Sequence, residues 1–93
     1  MVQYMVRRLD NKPLSIEPVS IDLHLNEIDL DGEIHRSNPV ILKPGVFCLG
    51  STIETFEMPD HVVGFVVGKS TNAREGLQIE AAGLIDPGFR GDI

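Results

Sequence analysis

The sequence predicts an all-β fold, a sandwich or distorted barrel carrying one short helical turn. Three observations predict it: short apolar runs with a period of two, Pro or Gly breaks between them, and a single stretch suited to a helix. The 93 residues read as one small domain spanning 1–93. A domain of this size buries only roughly 60–65% of the surface its unfolded chain exposes, so association would hide apolar area that a lone copy leaves wet.

Ser20–Leu25, SIDLHL, alternates Ile21, Leu23 and Leu25 on one side with Asp22 and His24 on the other, the pattern of a half-buried strand. Turns are expected at Asp29–Gly32 and at Arg36–Pro39. Val40–Leu42 reads as a short strand stopped by Pro44-Gly45. Val46–Leu49, Ile53–Glu57 and Val62–Val67 are further strands, the last two separated by Met58-Pro59-Asp60. Thr71–Glu75 is the helical stretch, with Ser70 as its expected N-cap and Gly76 as its C-cap. Leu77–Ala81 and Leu84–Ile85 return to strand character, and Phe89–Ile93 reads as a strand just beginning.

Eight Lys and Arg face fourteen Asp and Glu, a net charge of −6. Nucleic-acid binding needs a basic face, so this balance excludes it as the expected role. A nucleotide is still possible, because a few local donors and a divalent metal suffice for a triphosphate. One cysteine, Cys48, rules out an intrachain disulfide and reads as core packing. The N-terminal MVQYMVRRLDNK lacks the apolar core of a signal peptide, and no run is long enough for a membrane span. A soluble, cytoplasmic protein without a membrane partner is expected.

Two stretches carry chemistry. Gly68-Lys69-Ser70-Thr71 looks like the tail of a P-loop, but the required first glycine falls on Val63, and Gly76 cuts the following helix short. The local physics still suits phosphate: a glycine turn, two hydroxyls, the point charge of Lys69 and the fork of Arg74. Arg74 follows Ser70 by about one helical turn, so both can face one ligand. A solvated turn with charged tips is the competing reading. The second stretch, Ala82-Gly-Leu-Ile-Asp86-Pro-Gly88, sets a carboxylate before a rigid turn, where it can orient a water or take a ligand hydroxyl. An Asp accepting bonds within its own turn is the alternative. His24, His35, His61 and Cys48 show no zinc-ligand spacing, and the zinc deaminase signature is absent. Arg90-Gly91-Asp92 spells an adhesion tripeptide and is taken as coincidence.

Together these stretches resemble the dCTP deaminase/dUTPase superfamily, the deaminase branch most closely. Gly68–Gly76, GKSTNAREG, is similar to that family's G-R-S-S-x-A-R-x-G loop, with Lys69 in place of Arg, and AGLIDPGFRGD is similar to its A-G-x-I-D-P-G-F-x-G motif. Glu17–Leu25 and Lys43–Glu54 resemble its P-A-S-I-D-L-R-L and H-P-G-E-F-x-L-G-S-T-x-E segments. The resemblance covers about residues 16–93. It implies a dUTPase-like β-domain, incomplete at the C-terminus, in a homotrimer with active sites between subunits. It implies a zinc-independent conversion of dCTP to dUTP and ammonia, with Mg²⁺ bound through the triphosphate and no metal ligand from the protein. The alternatives are dUTP pyrophosphatase activity, alone or combined, and a non-catalytic module binding a nucleotide or a partner. By the same resemblance Lys69, Ser70, Thr71, Asn72, Ala73, Arg74 and Asp86 bind nucleotide. Ser70, Arg74 and Asp86 lie nearest the chemistry, with Asp86 at the deoxyribose 3′-hydroxyl or, in a dUTPase, holding the attacking water. The deaminase's catalytic Glu would fall beyond Ile93, so the 93 residues alone are expected to be inactive.

Overall fold

A computed structural model describes residues 5–36, 39–79 and 83–93. These form ten short strands and one complete helix: β1 Val6–Arg8, β2 Ser15–Ile16, β3 Ile21–Asp22, β4 Leu25–Leu30, β5 Glu33–His35, β6 Leu49–Thr52, β7 Glu54–Glu57, β8 Gly64–Phe65, α1 Ser70–Arg74, β9 Leu84–Ile85 and β10 Arg90–Gly91. Every pairing is antiparallel, in sheets ordered β1-β7-β10, β2-β3, β5-β4-β6 and β8-β9. The expected all-β fold with one short helical segment holds.

β7 organises the core. Phe56 pairs with Val6 on one side and Gly91 on the other. Val6, Phe56, Met58 and Ile85 are buried together, with Ile21, Leu23, Val62, Phe89 and Ile93 packed against them. The stretch after Asp86 is tied down by Met58 N–H to Phe89 O at 2.9 Å and by Thr52 N–H to Ile93 O at 2.9 Å. Phe89–Ile93 thus joins a sheet, as its sequence suggests.

Several boundaries differ from expectation, each for a visible reason. SIDLHL is not one strand: β3 ends at Asp22, because the His24 backbone N–H donates to Glu54 Oε1 at 2.9 Å while His24 O accepts from Ile53 N–H. Those bonds take the backbone groups a continuous ladder would use, and Leu25 ends up exposed. The turn expected at Asp29–Gly32 contracts to Asp31-Gly32, with φ of 51° and 85°, the two-residue hairpin turn whose twist suits antiparallel strands. Asp29 stays in β4 and caps the turn by accepting from Gly32 N–H at 3.0 Å. β5, the return strand of this hairpin, was not foreseen.

Val40–Leu42 forms no strand; Pro39 and Pro44, which flank it, bring no ladder donor of their own, and Ile41 is exposed. The Pro44-Gly45 turn is present, closed by Val46 N–H to Lys43 O, and strand character resumes only at Leu49 rather than Val46. Val62–Val67 shrinks to β8. Residues 37 and 38 of the Arg36–Pro39 turn lie outside the described residues. So do 80 and 81 of the strand expected at Leu77–Ala81, whose first three residues are not strand.

Candidate functional site

Asp86 and the Lys69–Arg74 stretch belong to one β-hairpin but sit at its two ends. The ladder starts at Gly64 opposite Ile85 and Phe65 opposite Leu84. It continues through Val66 N–H to Gly83 O at 2.7 Å, and Gly68 still lies beside Ile79, whose Cβ would be 3.6 Å from a Cβ built there. α1 is the tip. Four residues of extended chain span about 13 Å, so Asp86 at the base stands well away from the tip within one copy.

Ser70 is the first residue of α1 and not its cap. The N-cap is Lys69, extended at φ −85° and ψ 138°, and it makes no side-chain capping bond. Gly76, at φ 89°, takes the left-handed position after the helix as expected, and its N–H reaches Ala73 O at 3.0 Å. Ser70, Thr71, Ala73 and Arg74 are exposed and Asn72 is half-buried. The Asn72 carbonyl accepts from Glu75 N–H and Leu77 N–H, closing the tip. Among the described residues Arg74 makes no ion pair. Lys69 is engaged: its Nζ donates to Asp22 Oδ2 on β3 at 2.7 Å. That hydrogen bond, followed by the attraction of the Asp22 charge, holds the Lys69 ammonium above the usual lysine range.

Asp86 borders a cavity of about 350 Å³ whose apolar wall includes Leu84, Ile85, Phe89 and Ile93. Asp92 lines the same cavity, giving it two carboxylates. The turn at Asp86 closes through the backbone, Phe89 N–H to Asp86 O at 3.1 Å and Gly88 N–H to Met58 O at 3.1 Å. The Asp86 side chain accepts no hydrogen bond from the described residues, so the alternative of a carboxylate spent on its own turn finds no support among them. Ala82, first residue of that motif, lies outside the described residues.

Four side chains escaped the sequence reading. Asp92 was passed over inside Arg-Gly-Asp. Asp22 and His24 form the polar side of the SIDLHL alternation, which reads simply as a solvated face. Glu54, fully buried, accepts from the His24 backbone and lies 2.8 Å from His24 Nδ1. This pair ties the β3–β4 junction to β7, with Asp22 two residues away.

The sequence model of the family described as dCTP deaminase-like matches residues 27–93, which is more than half the chain and includes both α1 and Asp86. The chain belongs to the dCTP deaminase-like family. Curated members similar to it include "dCTP deaminase, dUMP-forming" of Corynebacterium diphtheriae, 48% identical over 62 residues that make up 66% of this chain and 33% of that protein. The protein of the same description from Mycobacterium tuberculosis is 49% identical over 65 residues, 69% of this chain and 32% of its own length. That of Corynebacterium efficiens is 43% identical over 76 residues, 78% of this chain and 39% of its own length. The chain thus spans about a third of the length of these dCTP deaminase relatives. No solved structure matches. The family match begins at residue 27, so SIDLHL lies outside it.

Proposed function

We propose that the complete protein deaminates dCTP and carries the product on to dUMP. Of the readings open at the start, this is the combined one. The carrying observation is that one family match spans both the Lys69–Arg74 tip and the Asp86 cavity, and that relatives 48% and 49% identical over aligned stretches of 62 and 65 residues bear the description "dUMP-forming". Those descriptions favour dUMP over dUTP, the product first expected.

In this reading water adds at cytosine C4 and ammonia leaves; a second water attacks the α-phosphorus and pyrophosphate leaves. Lys69, Ser70, Thr71, Asn72 and Ala73 offer donors to phosphate and base, and Arg74 presents a fork to developing negative charge. Asp86, unencumbered by its own turn, takes the deoxyribose hydroxyl or holds the second water, while Phe89 and Leu84 supply an apolar wall. Mg²⁺ would come bound to the triphosphate and would offset part of its charge, while Asp86 and Asp92 line the cavity. The wide separation of tip and cavity within one chain supports a shared site, in which Arg74 of one copy reaches Asp86 of another in a homotrimer. The exposed side chains of Leu84, on the cavity wall, and of Phe65, its partner across the ladder, are apolar surface such a contact would cover.

The test incubates the full-length protein with dCTP and Mg²⁺ and measures ammonia, pyrophosphate and dUMP. All three are expected in equal amounts. Ammonia with dUTP and no pyrophosphate would restore the simple deaminase; neither ammonia nor pyrophosphate would leave the binding-module reading. The 93-residue segment expressed alone is expected to turn over no dCTP.

A further inference from the structure

Lys69 stands first in the phosphate-binding stretch, yet its charge is already matched. Its Nζ lies 2.7 Å from Asp22 Oδ2, a contact across 47 residues of sequence. The two partners are unequally held. Asp22 sits in β3, paired with Ser15 of β2, and its side chain is only 24% exposed, whereas that of Lys69 is 55% exposed. Ile21 and Leu23, its neighbours, pack against the core. The carboxylate is therefore the fixed member and the lysine stem the movable one. Glu17, at the end of β2, adds a second negative charge to the field at Lys69.

We infer that Asp22 is the resident counter-ion of Lys69, and that a polyphosphate must displace it to reach the ammonium. The inference rests on the reading of Lys69 as a phosphate ligand. An ammonium is a compact point charge. With a carboxylate in direct contact its outward field becomes that of a dipole, and an approaching phosphate meets the Asp22 charge as well. Binding then exchanges one anion for another and swings the Lys69 stem away from β3. Asp22 thereby lowers phosphate affinity and sets it by competition.

Inorganic tripolyphosphate, titrated calorimetrically at low salt without Mg²⁺ into the full-length protein, reads this exchange directly. Asp22→Asn is expected to bind it about two- to fivefold more tightly than wild type, the size of an exposed ion pair, with the gain shrinking as salt is added. Lys69→Ala is expected to bind it more weakly, and Asp22→Asn is expected to gain less in that background, where only direct repulsion by the carboxylate is relieved. Unchanged or weaker binding by Asp22→Asn would overturn the inference, as would a gain just as large without Lys69. If Asp22→Asn fails to fold, Asp22→Ser decides: acetylation of its Lys69 by a soluble reagent should be faster than in wild type, and an unchanged rate counts against the pairing. Failure of the catalytic reading would show separately, as wild type that binds tripolyphosphate but releases no ammonia from dCTP.

Discussion

Glu54 is the most consequential single residue outside the site. Its carboxylate is fully buried, and among the described residues its hydrogen bonds come from His24 alone. Truncating His24 to Ala leaves that carboxylate with one backbone donor, an arrangement costing about 3 kcal/mol. In a small domain this is a large share of the stability, so the urea midpoint of His24→Ala should fall steeply. At the site, Arg74→Ala in the full-length protein should lower kcat by about a hundredfold or more, the scale of losing one preorganised charge partner. Steady-state ammonia release checks it. The Lys69–Asp22 tie has a defined pH window. Because the folded ammonium is held above its ordinary value, the tie is fully present below the usual lysine range and is lost as pH rises through the raised value. Nitrogen-detected NMR of Lys69 Nζ should show titration at lower pH in Asp22→Asn than in wild type.

At the level of elements, the β8–β9 ladder positions the Asp86 turn. Gly64 faces Ile85 so closely that an added Cβ would lie 3.1 Å from Ile85 Cδ1 and 3.3 Å from its Cβ. Ile85 is buried and cannot swing out. Gly64→Ala should therefore push β9 away and cost about 1–2 kcal/mol by overpacking. Turnover should drop with it, because Asp86 follows Ile85 directly; chemical denaturation and dCTP kinetics together separate the two effects. Elements with local causes were legible: the Pro44-Gly45 turn, the short helix stopped at Gly76, β7, β9 and the entry of Phe89–Ile93 into a sheet. The break at Leu23–His24 was not, because it is made by Glu54, some thirty residues on in sequence. The β4–β5 hairpin was missed because Asp29-Leu-Asp-Gly was read as turn throughout, although only Asp31 and Gly32 adopt positive φ.

The molecule as a whole is open for its size. Its radius of gyration is 14.0 Å, against about 12 Å for a compact chain of this length. Large apolar side chains such as Val19, Ile41, Phe47, Phe65 and Val67 are exposed, surface of the kind that other protein covers. If the site is shared, Arg74→Ala and Asp86→Asn chains, each inactive alone, should regain activity when unfolded and refolded together. Random assembly would restore about a quarter of the wild-type sites. No recovery in mixed assemblies, with oligomerisation intact by light scattering, would place both residues in one copy's site.

The residue order alone determined the all-β class, a short helical stretch stopped at Gly76, the Asp86 turn and the resemblance that the family match bears out, because each rests on local spacing and backbone preference. Tertiary structure decided what those pieces do to one another. It set Asp86 and Arg74 at opposite ends of a hairpin, brought Asp92 to the Asp86 cavity, matched Lys69 with Asp22 and buried Glu54 under His24. The Lys69–Asp22 and Glu54–His24 pairings join residues far apart in the chain, and their energies depend on burial and approach distance, which no local pattern encodes.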